Sequence, residues 1–152
     1  RSTGYKIMDF LLLLHDMNPC IAIIDHNTLS SITLRSILWD IYNKVEVFTY
    51  GSMDDFIRDS NRHFVHFFVN ADILFTHIDE FELLKNQTTV LSIRPNRRFE
   101  AAGFKVLDIS LPEQDLMGKL LHIQLTSRYE PQKSAGMRAG KDIDKDLSQR
   151  EK

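Results

Sequence analysis

The sequence has 152 residues and a mass of 17.7 kDa, with 43% hydrophobic residues, 26% charged residues and a formal net charge of −2. That length suits one domain with room for a tail and is too short for two full-sized domains. A near-neutral chain with a pI near 6.3 excludes a strong electrostatic partner for bulk nucleic acid or an anionic membrane. The lone cysteine, Cys20, excludes an intramolecular disulfide framework and a cysteine-based zinc site, so the composition points to a reducing compartment, the cytoplasm.

The first strongly apolar stretch is Phe10-Leu11-Leu12-Leu13-Leu14, within Tyr5 to Met17. It falls short of the roughly 20 apolar residues that a membrane span requires. Basic residues do not cluster ahead of it and no small-residue cleavage site follows, so it is not a secretory signal. It reads as a short amphipathic or buried helix docked on the domain or on a second subunit, making residues 1–19 a leading extension.

From Cys20 the pattern changes to short apolar runs: Ile21-Ala22-Ile23-Ile24, Val45 to Phe48, Phe64 to Val69, Thr88 to Ile93, and Lys105 to Ile109. Runs of this kind fit strands covered on both faces. Helical spacing separates them. Leu29, Ile32, Ile37, Leu38 and Ile41 recur at intervals of about three and four behind a capping Thr28. Ser52 caps a helix through Ile57, and His77 to Lys85 forms the next. Asn96 to Ala102 is closed by Gly103, and Pro112-Glu113 opens a last helix reaching about Tyr129.

Five strands alternating with five helices predict a flavodoxin-like α/β fold: an open five-stranded parallel sheet between two helical layers. Ligands of such sheets sit at the carboxyl ends of the strands, near the topological switch point. The residues there are Asp25, His26, Asn70 and Ser92. The glycine-rich nucleotide loops, the zinc-protease HExxH and the hydrolase GxSxG are all absent from the sequence. After Arg128 the composition becomes polar and glycine-containing, so residues 130–146 read as a linker. Residues 128–152 carry a local net charge of +2, leaving −4 for residues 1–127.

These residues, in this order, resemble the receiver domain of bacterial response regulators of the LuxR/NarL class. The resemblance covers about residues 20–129. Ile24-Asp25-His26-Asn27-Thr28-Leu29 is similar to the Val-Asp-Asp-His-Pro-Leu that ends strand 1 in that class. His77 to Lys85 resembles its third helix, Val90-Leu91-Ser92 its strand-4 end, and Pro112-Glu113 the start of helix 5. Asp146 to Lys152 looks like the opening of the LuxR-type helix-turn-helix, which implies a DNA-binding domain beginning at residues 147–152. The fold implied has strand order 2-1-3-4-5, with a short helix 4 because Ser92 and Leu107 are 15 residues apart.

The departures from the family matter more. In receivers, two acidic residues after strand 1 and an aspartate after strand 3 hold Mg²⁺, and that last aspartate takes the phosphoryl group. Here the second acidic position is His26 and the phosphoacceptor position is Asn70, 45 residues after Asp25 as in the family. An amide is a poor nucleophile, and imidazole and amide are weak replacements for the hard oxygen ligands of Mg²⁺. No cofactor is expected, with Asp25 a remnant of the metal site. The strand-5 lysine falls on Leu107, or on Asp108 by the Ser-Pro spacing; Lys105, two residues earlier, supplies a cation if the register shifts. Ser92 stands at the hydroxyl position and Phe104 at the switch aromatic.

Simpler readings accompany several residues. A zinc site at Asp25, His26 and Asn70 is weak for want of further ligands. His63 and His66, three apart on a strand, point to opposite faces. Asp72 reads as a solvated loop carboxylate or as a substitute phosphoacceptor. Phe64, Phe67, Phe68 and Phe75 read as sheet core, and Arg94, Arg97 and Arg98 as a solvated helix start or an anion-attracting cluster.

The expected function is a phosphorylation-independent receiver, not an enzyme, regulating a transcription factor as a homodimer, with DNA bound by the next domain and no membrane contact. The alternative is a small-molecule sensor using the Asp25/Asn70/Ser92 crevice.

Overall fold

The computed structural model describes residues 19–42, 45–59, 61–94 and 96–127. The leading helix, the linker and the helix-turn-helix start lie outside the described residues. Strands Cys20–Ile24 (β1), Glu46–Tyr50 (β2), Phe64–Asn70 (β3), Thr88–Ser92 (β4) and Lys105–Asp108 (β5) form one parallel sheet in the order β2-β1-β3-β4-β5. The helices are Thr28–Ile41 (α1), Met53–Arg58 (α2), Ala71–Thr76 (α3), Arg97–Ala101 (α4) and Glu113–Thr126 (α5), with a 3-10 helix Ile78–Gln87 before β4. This is the flavodoxin-like fold that the alternation of runs predicts, and its switch point lies between β1 and β3. Among the described residues, no helix is long and apolar enough to cross a membrane.

All five residues of β1 are buried. Alternation along the strand sends Cys20, Ala22 and Ile24 to one layer and Ile21 and Ile23 to the other. The first layer packs them under Met53 and Phe56 of α2, Ile73 and Leu74 of α3, Phe81 and Phe99. In it Phe56, Phe64, Phe67 and Phe81 meet with ring centroids 5.3–5.8 Å apart, in tilted and edge-on contacts. The second layer joins Leu34 and Leu38 of α1 to Leu120 and Ile123 of α5, across Phe68, Leu91 and Leu107.

Local chemistry sets most element ends. Asn27, rather than Thr28, caps α1: its side chain accepts from the Ser30 amide at 3.0 Å. Ser52 caps α2 as expected, accepting from the Asp55 amide at 3.1 Å. Gly103 takes φ 101°, the left-handed conformation that ends a helix after Ala102. The His77–Lys85 segment forms 3-10 turns rather than an α-helix. Its side-chain pairs His77–Glu80 and Glu82–Lys85 are three apart, the spacing that eclipses in a 3-10 helix. The segment also kinks at Leu84 (φ −113°, ψ 21°), whose carbonyl accepts from the Thr88 hydroxyl at 2.8 Å.

Two sequence expectations fail for stated reasons. Phe75 is 70% exposed, not sheet core, because α3 starts directly after β3 and buries Ile73 and Leu74 instead. β3 contains a bulge: Cys20 pairs with Phe64 but Ile21 pairs with His66, so Val65 is an extra residue. Strand alternation therefore does not hold across it, and the opposite-face argument for His63 and His66 loses its basis; both are buried. Phe64 and Phe67, three apart, share one layer for the same reason.

His66 is 2% exposed, stacks 4.9 Å from the Phe68 ring, shares a 2.8 Å hydrogen bond between its Nε2 and the Thr89 hydroxyl, and leaves Nδ1 without a partner. Burial, with a smaller contribution from the nearby Lys105 ammonium, pushes its pKa down to about 3 from 6.5. The folded state therefore holds His66 neutral where the unfolded chain already binds a proton. Stability present above pH 6.5 should be lost as the pH falls towards 3. Urea titrations across that window should show a falling midpoint in the native chain and a flatter profile in His66→Gln. Equal slopes would show that His66 does not supply the pH dependence.

Candidate functional site

The carboxyl ends of β1 and β3 bring Asp25 and Asn70 together. Asp25 follows β1 and is 3% exposed, with its backbone N–H donating to the Tyr50 carbonyl at 3.0 Å. Its Oδ1 accepts two hydrogen bonds, from the Asn27 backbone N–H at 3.0 Å and from the Asn70 Nδ2 at 3.2 Å. Asn70 is the last residue of β3 and the N-cap of α3. Its Oδ1 accepts from the Asp72 backbone N–H at 2.8 Å. The orientation of the amide is determined: a backbone N–H only donates and a carboxylate only accepts, so oxygen faces Asp72 and nitrogen faces Asp25.

That arrangement bears directly on Mg²⁺, the ion implied by the receiver resemblance. A receiver-type metal site needs lone pairs converging on one point. Here Asn70 turns N–H donors towards Asp25 and commits its only oxygen to capping α3. His26 is exposed beside them. Among the described residues, no three His, Cys, Asp or Glu side chains are grouped as a metal site. The donor set does not fit the ion.

The remaining positions are spread around this pair. Ser92 ends β4, buried, and donates its hydroxyl to the Arg94 carbonyl at 2.6 Å, closing the turn after the strand. Asp108 is its register partner on β5 and Leu107 lies opposite Leu91. Leu107 is 1% exposed, within the apolar layer shared with α1 and α5. Asp108 Oδ1 accepts from the Ser110 amide at 2.9 Å and the Ser110 hydroxyl at 2.5 Å, and these bonds hold its carboxyl below the usual range.

Lys105 pairs with Thr89, three residues ahead of Ser92, and donates its ammonium to the Ser127 hydroxyl beyond the end of α5. Burial lowers its pKa. A register shift that would bring it to the strand ends is not seen. Asp72 sits exposed in the first turn of α3 rather than in a loop. Arg97 and Arg98 are exposed at the start of α4, which is five residues long, the shortened helix expected there. Phe104 is buried edge-on to Phe99, ring centroids 6.2 Å apart, and the Lys85 ammonium lies 5.7 Å from its ring centroid.

The sequence reading missed Asn27. It serves the site twice, giving its backbone N–H to Asp25 and its side chain to the first turn of α1. The signal was the order Asp25-x-Asn27, a short polar side chain able to accept from an amide two residues on, next to a helix start.

No family model and no curated protein matches this sequence. Among solved structures, the fold is similar to the crystal structure of a response regulator receiver protein from Pseudoalteromonas atlantica. The TM-score is 0.53, the identity is 17%, and the match covers 72% of this chain and the whole of the other.

Asn70→Asp replaces the donor facing Asp25 with a second carboxylate. Loss of that hydrogen bond should cost about 1–3 kcal/mol in metal-free buffer. Millimolar Mg²⁺ should raise the melting temperature of the variant and leave the native chain unmoved. Equal stabilisation of both by Mg²⁺ would show that the amide does not prevent metal binding.

Proposed function

We propose that this chain is the regulatory receiver domain of a cytoplasmic, LuxR-class transcription regulator and that it works without phosphorylation. The observation that carries this reading is the Asn70 amide, standing where β3 ends and donating to Asp25. A carboxylate at that place would be the nucleophile of phosphoryl transfer; a carboxamide nitrogen is not nucleophilic, and its oxygen is already capping α3. The pocket of a phosphorylated receiver is replaced by a closed hydrogen-bonded unit linking β1, β3 and the starts of α1 and α3. In this reading the domain contributes through shape: it pairs with a second copy and positions the DNA-binding domain that the Asp146–Lys152 residues resemble the start of. Dimeric helix-turn-helix proteins read paired half-sites, so the pairing geometry would set their spacing.

The strand-end polar groups do not favour the small-molecule sensor. Asp25 and Asn70 bond to each other and to backbone amides, and Ser92 bonds to its own turn.

Incubation with a small phosphodonor and Mg²⁺, followed by intact-mass analysis, should leave the native chain unmodified. A stable phosphoryl adduct on this domain would overturn the proposal. Light scattering of the untreated chain should give the mass of a dimer, and that mass should not change when the phosphodonor is added.

A further inference from the structure

On the side of the sheet that carries the phenylalanine cluster, the 3-10 helix and α4 lie next to each other. Phe81 of the first and Phe99 of the second belong to one buried cluster. Lys85 of the 3-10 helix packs against Gly103, just past α4, and holds its ammonium 5.7 Å from the Phe104 ring centroid. The two neighbours differ in charge. Residues 71–87 carry Asp72, Asp79, Glu80 and Glu82 against Lys85, a net of −3. Residues 93–103 carry Arg94, Arg97 and Arg98 against Glu100, a net of +2.

The 3-10 period decides which groups face water. Residues three apart stand above one another in such a helix. Ile78, Phe81 and Leu84 form the ridge that packs on the core. Asp79 and Glu82 form an exposed ridge beside it, and Glu80 and Leu83 another. Leu83 is 75% exposed, and Phe75 on the preceding helix is 70% exposed. The three arginines are exposed as well. Among the described residues, no ion pair joins them to the acidic ridge of their own molecule.

Resting on the pairing with a second copy put forward above, we propose that the face built by α3, the 3-10 helix and α4 is where the two copies meet. A two-fold contact uses the same patch on both molecules, so the patch must complement itself. A surface of one sign would repel its own copy. Here an acidic ridge stands beside a basic turn, so a half-turn rotation sets each ridge against the arginines of the other molecule. Phe75 and Leu83 supply apolar surface for the contact to remove from water. Exposed ion pairs add little to affinity, but they fix orientation and exclude other pairings. The ridge and the arginines thus select the partner, and the apolar pair holds it.

Charge swaps on the full chain, followed by sedimentation velocity, test the face. One variant carries Asp79→Lys with Glu82→Lys, which makes the face basic throughout; the other carries Arg97→Glu with Arg98→Glu, which makes it acidic. Each alone should dimerise about tenfold or more weakly than the native chain, because like charges now meet across the two-fold axis. Mixed in equal amounts, the two should form a dimer with one chain of each kind, at close to the native affinity. Raising the salt from about 0.1 M to about 1 M shortens the screening length from about 10 Å to about 3 Å and should weaken the native pairing. Circular dichroism reports whether each variant is folded; if a double replacement unfolds the chain, Asp79→Lys and Arg98→Glu alone make the same comparison. Folded variants that stay as dimeric as the native chain would overturn the assignment of the face while leaving the pairing itself standing. Folded variants that remain monomeric when mixed would also overturn it. A native chain that sediments as a monomer would remove the pairing and the face together.

Discussion

The constraint on which this structure depends is the two-sided burial of β1. Its five residues are each removed from water, alternately into two layers. A strand can do this only in the interior of a sheet with helices on both sides. β2 and β3 flank it, α2 and α3 cover one side and α1 and α5 the other. The chain leaving β1 must turn at the sheet edge into α1, and Asp25 lies in that turn. Burying a carboxylate there requires hydrogen bonds to it, because an unpaired buried charge is expensive. The Asn27 amide and the Asn70 side chain supply them.

Asn70 ties two elements of the fold together through one side chain. The side chain does two jobs at once, donating to Asp25 and accepting from the first turn of α3. A carboxylate could still cap the helix, but it has no hydrogen to offer Asp25. The amide thus stabilises the junction in the absence of a cation, where two acids would need one between them. On β5, the aliphatic side chain of Leu107 completes the α1/α5 layer.

Much of the fold was readable from residue patterns. Continuous apolar runs of four to six residues gave strands, helical spacing gave α1 and α5, and capping residues gave Ser52 and Gly103 their places. The failures cluster around β3. Nothing in Phe64 to Asn70 marks the bulge at Val65, because a bulge is a property of pairing between two strands and leaves no local trace in one of them. Phe75 was assigned to the core by its type, but its position on a helix whose inward face is Ile73 and Leu74 was decided by where Asn70 stopped the strand. The 3-10 turns after α3 were hidden in the same way, since charges spaced three apart suit α and 3-10 helices alike.

By itself, the sequence determined the parallel α/β architecture and the identities of the strand-end residues, including the amide of Asn70. Periodicity and residue chemistry are local properties, so they can be read along the chain. Only the tertiary structure decided that the Asn70 nitrogen faces Asp25, that His66 is enclosed with one ring nitrogen unpaired, and that Lys105 reaches Ser127 rather than the strand ends. Those outcomes depend on strand register and on the direction of individual donors. Register is set by pairing residues distant in sequence, and no local pattern encodes it.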